Sequence, residues 1–357
     1  MPSPGLEGLG DADVLARHDP RGVHRLLAEF PAQCREALGL RPSRELADRP
    51  QLVILAGMGG SAASGDLLAA ANREPVPVIV HRGYDVPTAV GPGTLVIASS
   101  YSGETAETIS AFARAIDAGA AACAVTSGGR LAELASRHDA PLVTLPSGFM
   151  PRFALGYLFF PLIRLLGGAG LRTVPAAEID DAVNVVAQMG HALGPTSPPG
   201  DNEAKQLVLE LDDRIPVVYG GQTTAMAAYR WKTDIEENAK RFAVAGTLPE
   251  MNHNELEGWH GSDARRLHAI LLRCAGEHPE LSARFGILRR MLAGVAGGIS
   301  ETWARGGSRL ARLLSLIYLG QWTSYYAAIR HGVDPWPVAM LDQFKREVRA
   351  ADGDRVA

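Results

Sequence analysis

Two turns rich in glycine and hydroxyl groups are the first residues in this chain with the makings of a binding site. Ala56-Gly-Met-Gly-Gly-Ser-Ala-Ala-Ser-Gly-Asp66 follows a short apolar run and opens a helical pattern. Gly59 and Gly60 let the backbone turn tightly, and the free N–H groups at the helix start favour an anion beside Ser61. Ala62 stands where the dinucleotide pattern G-x-G-x-x-G needs its last glycine, so that reading fails. Taken alone, the turn also suits a strand-to-helix connection that binds nothing. Ser99-Ser-Tyr-Ser-Gly-Glu-Thr-Ala-Glu-Thr108 again follows an apolar run and opens a helix. The hydroxyls of Ser100, Ser102 and Thr105 can converge with backbone N–H groups on one phosphate, although N-capping is the ordinary use of such residues. Two such turns at the carboxyl ends of neighbouring parallel strands face one crevice, which makes a phosphorylated small molecule the leading ligand.

Elements that could hold these turns are visible around them. Continuous apolar runs at 51–56, 76–80, 94–98, 121–125 and 141–145 suit parallel strands covered on both faces. Helical patterns at 62–71, 105–117 and 129–137 separate them, giving a doubly wound β/α unit. Gly194-Pro-Thr-Ser-Pro-Pro-Gly200 is a cluster of helix breakers, and the alternation resumes after it. Strands are expected at 215–219, 242–245 and 268–272, with helices at 223–240, 279–293 and 308–330. The fold class is therefore α/β: an N-terminal helical segment (1–45, with one helix at 11–38), then two doubly wound subdomains (46–193 and 201–357) with mainly parallel sheets flanked by helices.

Composition narrows the function. A length of 357 residues suits two domains, and 46% hydrophobic against 21% charged residues is ordinary for a globular protein. Thirty-five Lys and Arg against 39 Asp and Glu leave a net charge of −4, with no general positive field for nucleic acid. Cys34, Cys123 and Cys274 form neither a disulfide framework nor a metal cluster, which fits a reducing, cytoplasmic setting. No apolar run approaches the roughly 20 residues of a membrane span, and the first 20 residues lack the basic head and apolar stretch of a signal peptide. The apolar stripe 310–326 suits a helix in the core, between the subdomains or at a dimer interface.

The combination of Gly57-Met-Gly-Gly-Ser61 with Ser100-Tyr-Ser-Gly-Glu-Thr105 resembles the sugar isomerase (SIS) domain. With Trp231-Lys-Thr-Asp-Ile-Glu-Glu-Asn-Ala-Lys240, Pro249-Glu-Met-Asn-His-Asn-Glu255 and Gly332-Val-Asp-Pro335, the chain from about Leu52 to Lys345 resembles the bifunctional phosphoglucose/phosphomannose isomerases. That resemblance implies two SIS-type subdomains and interconversion of glucose 6-phosphate, and of mannose 6-phosphate as a second aldose, with fructose 6-phosphate. It implies proton transfer through a cis-enediol with Glu237 as the base and His253 as the acid/base that opens the ring. Arg152 matches an arginine that stabilises the enediolate, and Lys345 a lysine that reaches the sugar ring. The phosphate falls to Gly59, Gly60, Ser61, Ser100, Ser102 and Thr105. No metal or other cofactor is needed, and the expected partners are the hexose 6-phosphate and a second copy of the chain in a homodimer, with no nucleic acid and no membrane. The pattern departs from the family at Trp336, where relatives often carry Thr, and at Glu104, a common Asn. Without the resemblance, Glu237 among Lys232, Asp234, Glu236, Lys240 and Arg241 reads as part of a solvated helix face, Arg152 as a surface arginine and Lys345 as an ordinary last-turn lysine. A non-catalytic sugar-phosphate sensor is the alternative, but it would need only the turns.

Overall fold

A computed structural model describes residues 6–356. Nine strands form two sheets among these residues. The first holds β1 (Leu52–Gly57), β2 (Val78–His81), β3 (Thr94–Ser99), β4 (Ala121–Thr126) and β5 (Leu142–Thr144), all parallel, in the order β2-β1-β3-β4-β5. β1 is apolar throughout, β3 is apolar between Thr94 and Ser99, and both are buried on both faces because helices cover the sheet from both sides. The chain leaves β1 toward β2 on one side and returns to β3 on the other, so the order reverses between β1 and β3. Their carboxyl ends, Gly57 and Ser99, are register partners, and both glycine- and serine-rich turns start there. Such a reversal opens a crevice beyond the strand ends.

The second sheet, also parallel, runs β7-β6-β8-β9, with β6 at Ile215–Gly220, β7 at Val244–Thr247, β8 at Leu267–Arg273 and β9 at Gly298–Trp303. β7 begins two residues later than expected, leaving Phe242 83% exposed ahead of it. β9 was hidden by composition: in Gly298-Ile-Ser-Glu-Thr-Trp303 the polar residues point inward. Ser300 meets His268 at 2.7 Å and the Glu210 carboxylate, while Thr302 meets Glu203. Buried hydroxyls with partners cost little, so an edge strand can be polar where sequence patterning demands apolar residues. The expected single helix at 11–38 is three, Ala12–His18, Val23–Ala28 and Phe30–Ala37. The break comes where Gly22 takes φ +69° and the Asp19 carboxylate accepts from the N–H groups of Val23 and His24.

One helix, Arg309–Arg330, holds the two sheets together. It packs on the helix Ala176–Leu193 and carries Trp322, Tyr325 and Tyr326 fully buried. Its aromatic hydroxyls reach in three directions: Tyr318 donates to the Leu27 carbonyl, Tyr325 to Asp19 and Tyr326 to the Leu193 carbonyl. From the other side, Trp231 Nε1 donates to the Leu316 carbonyl at 2.7 Å. The apolar stripe at 310–326 is therefore core, shared by both halves, and offers no surface to a second subunit. The breaker cluster 194–200 lies between Ala176–Leu193 and the helix Glu203–Leu211, where the buried Lys205 ammonium donates to the carbonyls of Pro195 and Ser197. Among the described residues no helix is long and apolar enough to cross a membrane.

Candidate active site

The two glycine- and hydroxyl-rich turns are built against each other. Gly57 ends β1 so close to β3 that a Cβ there would lie 2.8 Å from the Ser99 carbonyl, and Gly59 takes φ +50°, so this turn tolerates few other residues. The helix Gly59–Ala71 then begins with no side chain capping it. Ser61 Oγ accepts from the Tyr101 N–H at 3.1 Å, tying the first turn to the second and leaving its own hydroxyl proton to donate. Thr105 is the residue before the helix Ala106–Asp117, yet its side chain makes no cap bond. It pairs with Ser100 Oγ at 2.9 Å instead, and Ser100 Oγ also accepts from the Gly103 N–H. Ordinary N-capping is thus not what these hydroxyls do. Ser102 is exposed at the rim and accepts from the Glu104 N–H, while the Glu104 carboxylate accepts from the Arg130 N–H.

Gly60 connects this cradle to the charged residues. A Cβ on Gly60 would sit 2.9 Å from the Pro151 carbonyl and 3.1 Å from the Arg152 nitrogen, so the start of the Gly59–Ala71 helix rests directly on the short turn Pro151–Phe153. Arg152 is 2% exposed, a buried residue where the bland expectation had a surface one. Its Nε donates to Asn238 Oδ1 at 2.7 Å, Nη2 to the carbonyls of Pro335 and Trp336 at 2.8 and 2.6 Å, and Nη1 to Glu237 Oε2 at 3.3 Å. Four of its donor contacts are taken by the chain, which leaves one Nη1 hydrogen for a ligand. Burial holds the guanidinium below its ordinary range, and Glu237 and Asp234 pull it back.

Glu237 sits on a π-helical turn, Ile235–Ala239, that continues the helix Ala225–Asp234. The wider turn is a common device at functional sites. It ends at Lys240, which adopts φ +56° and donates from Nζ to the carbonyls of Glu237, Asn238 and Pro335. Burial, and then Arg152, push the Lys240 ammonium down to about 8. Asn238 is anchored by Ser324 at 2.9 Å, so the turn is fixed on both sides of Glu237 while the Glu237 side chain stays 28% exposed. A carboxylate held by one guanidinium contact and otherwise open can exchange protons with a ligand. Asn238 and Lys240 stand in the Glu-Asn-Ala-Lys motif but were not among the expected site residues, and the Pro335 and Trp336 carbonyls, as backbone groups, carry no signal in a sequence.

His253 and Lys345 lie apart from this cluster. His253 ends a short turn, Glu250–His253, beyond β7, and it is exposed with no hydrogen bond or ion pair among the described residues. Lys345 is exposed on the helix Ala339–Val356, whose residues 339–347 are all exposed. Neither joins Arg152 and Glu237 within one chain. No group of His, Cys, Asp and Glu suited to a metal ion occurs among the described residues.

The sequence and the fold both have known relatives. Residues 200–348 match the family described as the bacterial phospho-glucose isomerase C-terminal SIS domain. A bifunctional phosphoglucose/phosphomannose isomerase from Caldicellulosiruptor bescii is 39% identical over 83% of this chain and 89% of its own. One from Aquifex aeolicus is 32% identical over 83% and 90%. The chain belongs to the bifunctional phosphoglucose/phosphomannose isomerase family. At the level of fold, a glucose-6-phosphate isomerase-like protein from Thermus thermophilus superposes with a TM-score of 0.65 at 20% identity, covering 97% of this chain and 99% of that one. As a family member the chain is an isomerase, and the expectation that the two turns hold a phosphate can be tested directly. Replacing Ser100 and Thr105 together by Ala is expected to raise KM for a hexose 6-phosphate about tenfold or more, since the hydroxyl pair and the proton it can donate to an anion are lost. Steady-state kinetics with an unchanged KM would move the phosphate elsewhere.

Proposed function

We propose that the chain interconverts glucose 6-phosphate and fructose 6-phosphate, with mannose 6-phosphate as a second aldose, through a cis-enediol. Starting from the open-chain aldose, Glu237 takes the proton from C2 while the C1 carbonyl oxygen takes one from water, giving the enediol. The same carboxyl then delivers its proton to C1 while the C2 hydroxyl returns its proton to water and becomes the ketone. Balance is complete without a metal or other cofactor. The reading is carried by one observation: the phosphate turn rests, through Gly60, on the residue whose guanidinium holds Glu237. An anchored phosphate thus has a base beside it. The remaining Nη1 hydrogen of Arg152 can meet the enediolate oxygen, where a donor helps only as charge develops.

His253 opens the pyranose ring in this scheme, and a neighbouring subunit supplies it. Its exposure and lack of side-chain partners among the described residues favour that arrangement. Apolar surface for a homodimer comes from Phe242 and Val244 beside edge strand β7 and from Met340, Leu341 and Phe344 on the helix Ala339–Val356. Lys345, on that same helix, approaches a sugar ring by the same association. A reducing cytoplasmic setting suits Cys34, Cys123 and Cys274, which are all buried thiols. An assay coupled to each hexose 6-phosphate tests the function: turnover with the glucose and fructose phosphates is expected, and binding without turnover would favour the sensor.

A further inference from the structure

Behind Arg152 and Glu237 lies a second ion pair that the chemistry above does not use. Arg230 and Asp234 sit one turn apart on the helix Ala225–Asp234 and are 3% and 2% exposed. The pair is close on both sides: Arg230 Nε donates to Asp234 Oδ2 at 2.8 Å, and Nη2 stands 2.8 Å from Asp234 Oδ1. Burying two charges generally costs more than their attraction returns, and a well-packed apolar pair would serve stability as well or better. The geometry suggests what the charges do. Nη2 of Arg230 also donates to the main-chain carbonyl of Arg152, which Gln321 Nε2 approaches from the central helix at 3.4 Å.

A closed ring results. Asp234 is the last α-helical residue before the π turn, and three residues on stands Glu237. From Glu237 the ring passes to the Arg152 guanidinium, through the Arg152 main chain to Arg230, and back to Asp234. We propose that the Arg230–Asp234 pair is a positioning device for the proton-transfer step, fixing the Arg152 main chain and through it the direction of the Glu237 carboxylate. The inference rests on the reading of Glu237 as the base. The charged groups facing Asp234 are Arg230 on its own helix, Glu237 on the π turn and Arg152 on the Pro151–Phe153 turn, while the central helix presents the uncharged Gln321 and Ser324 to this cluster. Burial, opposed by Arg230, pushes the Asp234 carboxyl up to about 6. As pH falls through that value Asp234 gains a proton, and Arg230 loses its ionic partner.

Asp234→Asn copies the protonated state in nearly the same shape. Its kcat is expected to fall about 10- to 100-fold at pH 7 with KM within about twofold, because a misdirected base spares binding. The ratio of wild-type to variant kcat should shrink from pH 7 to pH 5, as the wild-type protein comes to resemble the variant. A ratio constant across that range, or an unchanged kcat, would overturn the proposal. If Asp234→Asn fails to fold, Arg230→Lys takes its place: it keeps the charge but cannot span Asp234 and the Arg152 carbonyl. The same kcat loss at constant KM is expected, and wild-type kcat would overturn the proposal. Glu237→Gln, assayed beside them, separates the two claims, since wild-type turnover there removes the base itself, whatever Asp234→Asn does.

Discussion

Glu237→Gln should lower kcat by roughly 10²- to 10⁴-fold, the usual range for losing a general base. The glutamine keeps an oxygen for the Arg152 Nη1 hydrogen but can no longer take a proton from carbon. Arg152 retains Asn238 and the two loop carbonyls, so the variant should fold. KM should change little, because the proposed phosphate site is a separate pair of turns. Purified, folded Glu237→Gln with near wild-type turnover would remove Glu237 from the role.

Mixing two inactive variants, Glu237→Gln and His253→Ala, should restore activity. If each site draws Glu237 from one subunit and His253 from the other, a heterodimer contains one site with both residues intact and one with neither. Random exchange then makes half the dimers mixed, and activity should return to about a quarter of wild type per chain. The motive is structural: the His253 side chain has no hydrogen bond or ion pair among the described residues, and the Glu237 cluster is closed on its buried side by Arg152 and Asn238. Exchange confirmed by mass without any return of activity would leave His253 serving its own chain.

The parts of this molecule that could be read from sequence are those where one physical signal dominates. The strands of the first sheet are mostly apolar because the central ones, β1, β3 and β4, are covered on both faces, and all five lie where the runs are. β9 escaped because its inward side chains are hydroxyls satisfied by buried partners, which mimic a surface pattern. The charged helix misled in the opposite sense. Lys232–Glu236 is a solvated i,i+4 pair with both side chains 29% exposed, but Arg230–Asp234, of the same spacing, is buried. Spacing alone cannot distinguish the two, since burial is set by what the Arg309–Arg330 helix and the Arg152 turn bring against that face. The stripe 310–326 gave its apolarity plainly and its location not at all. Arg152 and Glu237 were candidates only through family resemblance, and their contact depends on Gly60 letting two distant segments touch.

Proton transfer through an enediol is the central claim, and solvent hydrogen reports on it directly. The proton held by Glu237 between C2 and C1 has part of its carboxyl open to water, so some of it should exchange before return. Fructose 6-phosphate incubated with the protein in D₂O should yield glucose 6-phosphate carrying deuterium at C2, seen by proton NMR as loss of the C2 signal, and Glu237→Gln should slow that incorporation in step with its turnover. Sustained conversion with no deuterium at C2 would mean that hydrogen moves directly from carbon to carbon, and the enediol mechanism would be wrong.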